Sequence, residues 1–124
     1  MPGAGALPLH AGVGLKPEHF DDARSGSPEG IWFEVHPENY MIGGGPRLRG
    51  LQSIREHYPL SLHGVGASLG GPELTDAGHI KALKRLIDLF EPESVSEHAV
   101  WSHANGVYYA DLLPLPRTQD AMRR

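Results

Sequence analysis

The chain has 124 residues, enough for one compact domain, and its 11 Lys+Arg against 15 Asp+Glu give a formal net charge of −4. That balance argues against a nucleic-acid partner, because a phosphate-backbone binder gathers a basic surplus on one face. There is no cysteine, so disulfide scaffolds, zinc–thiolate sites and cysteine nucleophiles are excluded, and any metal site must be built from imidazole and carboxylate.

Residues 1–11 show no hydrophobic period and read as a flexible leader ahead of a folded part, residues 12–124. Val13-Gly14-Leu15 is a short apolar strand, and Lys16-Pro17-Glu18 opens a helix over His19–Arg24 that the Ser25–Pro28 loop ends. Ile31–His36, rich in aromatic and β-branched residues, predicts the clearest strand, and Pro37–Pro46 predicts a long polar, Gly-rich exit. Leu48, Leu51, Ile54 and Tyr58 follow a helical period up to Pro59, after which Leu60–His63 is the next strand. Thr75 or Asp76 caps a third helix with the stripe Ile80, Leu83, Leu86, Ile87 and Phe90. Ser94–His98 is the fourth strand, Asn105-Gly106 marks a small hairpin, Leu112–Pro116 is extended, and Thr118 caps a last helix. No apolar run approaches the ~20 residues of a membrane span, so the expected compartment is the cytoplasm, with no membrane partner.

Strands alternating with helices predict an α/β fold with a parallel sheet ordered 1-2-3-4, its helices on one face. About four βα units are half of an eight-stranded TIM-type barrel, whose usual length is ~250 residues. Such a sheet has two open edges, so Val13, Leu15, Val95 and the Leu112–Leu115 run are expected to be exposed or under-packed. Exposure of that kind favours self-association or pairing with a separate C-terminal half.

The chemistry-bearing residues fall at strand ends. His36 ends the second strand, His63 the third and Glu97-His98 the fourth, and in parallel α/β folds those ends share one edge. Imidazole with carboxylate is a ligand set for iron, manganese or zinc, and two His with one carboxylate leave coordination positions open. Glu34 alternates onto the same side as His36, as a residue that orients a ligand or as one half of a buried ion pair. His10, His19, His57, His79 and His103 read as solvated side chains. Gly64-Val65-Gly66 lacks the pattern and lysine of a phosphate-binding loop, and reads as room for close approach near His63. Trp32, Trp101, Tyr108 and Tyr109 read as packing residues, and Asp111 as a cap.

Four ordered motifs carry a family resemblance: Trp32–His36 with Glu38-Asn39-Tyr40; Leu60–Gly66 with Ser68-Leu69-Gly70; Val95–His98 with Trp101-Ser102; and Asp111–Pro116. Together they resemble the N-terminal half of the MbnB/TglH-like family of multinuclear iron proteins. The chain departs from the family pattern at Pro37, Ala110 and Arg117. The resemblance implies a TIM-type barrel similar to xylose isomerase, with two or three iron ions at the C-terminal mouth, another divalent metal being an alternative. It implies dioxygen-dependent oxidation of cysteine in a ribosomally made precursor peptide, often with a small partner protein. His36, His63 and Glu97 are then the expected ligands, with Glu34, His98 and Asn39 as further ligands or as residues that position them. The competing expectation is a truncated, non-catalytic half-barrel that binds only a metal or a partner.

Overall fold

The computed structural model describes residues 10–26 and 29–124, so the leader expected at 1–11 lies outside the described residues except for its last two. Four strands, β1 (Gly12–Gly14), β2 (Trp32–Val35), β3 (Leu60–Gly64) and β4 (Ser94–Glu97), form one parallel sheet in the order β1-β2-β3-β4. Between them run α1 (Phe20–Gly26), α2 (Pro46–Arg55) and α3 (Ala77–Phe90). The chain is thus α/β, with the alternation and sheet order of half a TIM-type barrel.

Register assigns the two faces. Phe33 pairs with Leu60 and Val35 with Leu62, and all four are buried in one cluster with Phe20, Ala23, Leu51, Ile54, Leu86 and Phe90. The three helices therefore cover one face. Trp32, Glu34, Ser61, His63, Ser94 and Ser96 alternate onto the other, which is polar rather than oily. Gly12 lies opposite Trp32, where a Cβ would overlap the indole ring.

The α3 ends are built as the sequence predicts at one terminus and by a distant residue at the other. Asp76 accepts from the His79 N–H at 2.9 Å as the N-cap, whereas Thr75 donates to the Ala67 carbonyl. At the C-terminus the buried Arg55 of α2 donates to the carbonyls of Phe90 (2.9 Å) and Glu91 (2.8 Å), and pairs with Glu93 at 3.4 Å. These charge-assisted bonds satisfy carbonyls that the helix leaves without partners.

Three expectations are corrected. Leu15 is buried, not under-packed, because its N–H donates to the Glu34 carbonyl at 2.8 Å and its side chain joins the core. Val13 (49% exposed), Val95 (45%) and Leu112 (43%) do stand open. The exit from β2 is not a plain loop: Pro37–Tyr40 forms a 3-10 turn that begins directly after His36. The Ser25–Pro28 loop is shortened by α1, which runs to Gly26, and residues 27 and 28 lie outside the described residues.

After β4 the chain forms an antiparallel hairpin, β5 (Val100–Ala104) and β6 (Val107–Pro114). Its turn has positive φ at Asn105 (52°) and Gly106 (74°), as the two-residue Asn-Gly hairpin requires. Ser68, itself at φ 53°, accepts from the N–H groups of Ser102 (2.9 Å) and His103 (3.1 Å), tying the hairpin to the segment after β3. Thr118 caps α4 (Gln119–Met122). Among the described residues no helix is long and apolar enough to cross a membrane.

Removing the buried Arg55 partner set should dominate over any exposed ion pair. Arg55→Ala is expected to lower unfolding free energy by about 3–5 kcal/mol, because Glu93 and two helix carbonyls lose a buried partner. Lys84→Ala, which breaks the exposed Lys84–Asp88 pair, should cost less than about 0.5 kcal/mol. Urea denaturation of both variants checks the contrast.

Candidate metal centre

The C-terminal ends of β2, β3 and β4 bring two groups of donor side chains to one edge. The first is a row of imidazoles. His36 and His63 have ring centroids 6.2 Å apart, and His63 and His98 are 4.5 Å apart. His36 Nδ1 lies 2.9 Å from the His63 carbonyl oxygen, and His98 Nδ1 lies 2.9 Å from that of Gly64. A carbonyl only accepts, so both Nδ1 atoms carry the proton and, in the neutral rings, each Nε2 keeps its lone pair. This is the way a metal-binding histidine is held. His63 Nδ1 lies 2.7 Å from Ser96 Oγ, which can donate or accept.

The second group lies on the helix-covered side of the sheet. Glu97 pairs with Gly64 in register, so it alternates away from His63 and Ser96 and faces the start of α3. There it meets Glu38, from the 3-10 turn, and His79, in the first turn of α3. One ligand atom from each of Glu38, His79 and Glu97 lies within 4.8 Å of the others, the one such group among the described residues. His36 and His63 stand outside this group, so Glu97 is brought together with Glu38 and His79 rather than with them.

The Gly64-Val65-Gly66 segment makes this packing possible. Glu38 Oε1 accepts from the N–H groups of Val65 and Gly66, both at 2.8 Å. A Cβ at Gly64 would overlap the Glu97 carboxylate, and one at Gly66 would come within 3.3 Å of both Glu38 and His79. The glycines thus admit carboxylates, not phosphate. Glu38 Oε2, Glu97 Oε2 and His79 Nε2 are buried and have no hydrogen-bond partner. A buried polar atom left in that state costs free energy, and a divalent cation with N/O ligands would satisfy all three. The donor set fits such a metal.

His79 and Glu38 are the residues that reading the sequence missed. His79, expected to be solvated, has a side chain only 16% exposed and lies 3.9 Å from Glu38. Its signal was its place three residues after the Asp76 cap, in the first turn of α3 and so at the strand-end edge. His103 is also not freely solvated, since Nδ1 lies 2.9 Å from Glu73. Of the other expected residues, Glu34 accepts from Ser61 at 3.4 Å. The Asn39 carbonyl accepts from Arg47 at 3.1 Å. Tyr40 is buried, which pushes its phenol up to about 12 against the pull of Arg47, so it stays neutral.

A parallel α/β sheet with polar donor residues gathered at its C-terminal edge is the architecture of half a TIM-type barrel. Within that fold class, residues 10–124 match the family of RiPP precursor modification enzymes MbnB/TglH/ChrH, and the chain belongs to it. It is 54% identical over 114 residues to a UPF0276 protein of Caulobacter vibrioides, covering 92% of this chain and 41% of that protein. It is 56% identical over 114 residues to one from another Caulobacter strain, with the same coverage. With a UPF0276 protein of Bordetella pertussis the identity is 44% over 121 residues, covering 98% of this chain and 42% of the relative. The chain thus spans about two fifths of the length of these curated relatives.

Burial first, and the neighbouring Glu38 charge second, hold the Glu97 carboxyl above its ordinary range, against hydrogen bonds from Ala67 and His98 and the His79 charge. Glu97 therefore binds its proton more tightly folded than unfolded. In the metal-free protein this contribution is full below the ordinary carboxylate range and is lost as pH rises through the folded value. Stability measured with chelator from about pH 4 to about pH 8 should fall over that interval. Glu97→Gln should flatten the fall, and a saturating divalent metal, which binds the ionised form, should remove it.

Proposed function

We propose that this chain forms the N-terminal part of an iron-dependent enzyme that oxidises cysteine in a ribosomally made precursor peptide. One observation carries the reading: Glu38, His79 and Glu97 bring ligand atoms within 4.8 Å of one another, each residue holding a buried side-chain atom without a hydrogen-bond partner, beside a row of three imidazoles. Family membership supplies the substrate class. His36, His63 and Glu97 are the expected ligands, with His98 as a further ligand or positioning residue, and Glu38 and His79 are added to them by position. Iron bound there supplies one-electron redox chemistry toward dioxygen and the peptide thiol.

The chain's own residues hold and orient. The carbonyls of His63 and Gly64 keep His36 and His98 in the tautomer that presents Nε2. The backbone of Val65 and Gly66 fixes Glu38, so no side-chain reorganisation is needed on its part when a cation arrives. Ser94 and Ser96 stand on the polar face, half-buried and exposed respectively, where hydroxyls can meet the amides of an extended peptide. The precursor peptide and a small partner protein are the proposed partners, together with a second copy or a C-terminal half to close the sheet. A second reading, a non-catalytic half-barrel that binds metal or a partner only, is favoured by the exposure of His36 and Val95 at the open sheet.

The test is iron content after ferrous loading and gel filtration, with turnover of a cysteine-containing peptide followed by mass spectrometry. His36→Ala, His63→Ala and Glu97→Gln are each expected to lower bound iron about tenfold or more with circular dichroism unchanged. Gly64→Ala, which displaces the Glu97 carboxylate, should do the same. Wild-type iron in both histidine variants would overturn the ligand assignment, and iron binding without turnover would select the second reading.

A further inference from the structure

Beside His36, on the same edge of the sheet, is a cavity of about 410 Å³ that the candidate metal centre does not use. Leu15, Lys16, Glu34, His36, Asn39 and Arg47 contribute to its wall, so it lies between the exits of β1 and β2 and the start of α2. His36 belongs both to this wall and to the imidazole row.

The charges in the wall are unevenly matched. Glu34 accepts from Ser61 at 3.4 Å, and the exposed Glu18 lies 3.9 Å from His19. Neither Lys16 nor Arg47 has a carboxylate within 4.0 Å among the described residues. Arg47 donates one N–H to the Asn39 carbonyl at 3.1 Å, which holds the guanidinium in place while its other donors have no acceptor among the described residues. Arg47 also occupies the first turn of α2, which carries no acidic residue and has no side-chain cap at Gly45. A cation there opposes the helix dipole, so helix stability does not account for it.

We infer that Lys16 and Arg47 form a subsite for a carboxylate of the peptide substrate, seating it beside His36. Arginine takes carboxylate through two parallel N–H bonds, and lysine adds a point charge from the facing segment. A peptide anchored there extends across the exits of β2 and β3, over the imidazole row. The carboxylate can be a C-terminus or an Asp/Glu side chain. This inference rests on the peptide-modifying reading, and it concerns only what binds, not the metal.

The experiment uses the full chain in chelator and fluorescein-labelled cysteine-containing peptides, read by anisotropy at low and high salt. One pair differs by a free C-terminal carboxylate against its amide, and a second pair, amidated at the C-terminus, by one internal Asp against Asn. At low salt the carboxylate form of one pair should bind about tenfold more tightly than its neutral partner, and the pair that discriminates identifies the source. Arg47→Gln and Lys16→Gln should each remove most of that preference, while Arg49→Gln, on the same helix but outside the cavity, should keep it. Equal binding of both forms in both pairs overturns the subsite, and so does an equal loss in Arg49→Gln, which would mark diffuse charge attraction. Thermal melts of the variants separate loss of binding from loss of fold. Because iron is assayed separately, carboxylate preference without iron uptake overturns the iron-enzyme reading alone, and iron uptake without preference overturns the subsite alone.

Discussion

The candidate centre depends on one contact, the acceptance by Glu38 Oε1 of two successive backbone N–H groups at the exit of β3. That carboxylate comes from the turn after β2, so the contact fastens two neighbouring strand ends to each other. It also fixes a negative charge against the backbone, where Glu97 and His79 converge. With Glu38 and Glu97 both partly buried, like charges are held close in a setting of reduced dielectric. Such an arrangement is unfavourable in a merely structural role. It becomes favourable when a cation shares the carboxylates, which is why the same geometry reads as a donor set.

The parallel register divides the edge into two layers. Residues alternate, so His63 and Ser96 face the open polar side while Glu97, one residue further on β4, faces the helices. The backbone of β3 runs between them, and Gly64 serves both layers, its carbonyl accepting from His98 and its missing side chain leaving space for Glu97. An imidazole row thus lies on one side and a carboxylate-rich group on the other. Proximity of the two layers makes the backbone at Gly64 the part of the chain least tolerant of added bulk.

Stability is concentrated in the interior beneath the helices. The apolar cluster under α1, α2 and α3 and the tie of Arg55 to the end of α3 are independent of the donor groups. The candidate donor residues sit on the polar side and at strand exits, outside the apolar cluster. The β5–β6 hairpin is joined to this body through Ser68 and through Glu73, which pairs with His103 and accepts from the Asn105 N–H at 2.7 Å. Val107, Tyr108, Tyr109 and Leu112 remain exposed on it, a surface of the kind that association covers.

Local pattern sufficed for the elements. Alternating strand and helix periods, the Asp76 cap, the Asn105-Gly106 turn and the strand-end placement of His36, His63 and Glu97-His98 were all legible, because each depends on residues close in sequence. The sheet order followed from them, since short right-handed crossovers leave few alternatives. What tertiary structure decided was which strand-end residues meet. Glu38 read as part of a polar exit loop and of a motif without an assigned role, and His79 as a solvated side chain. Only the packing of α3 against the Pro37–Tyr40 turn brings them against Glu97, and only the register of β4 turns Glu97 away from His63. Leu15 was buried for the same reason: its environment is set by the packing of α1 and β2 across it, a contact between distant segments that no local period encodes.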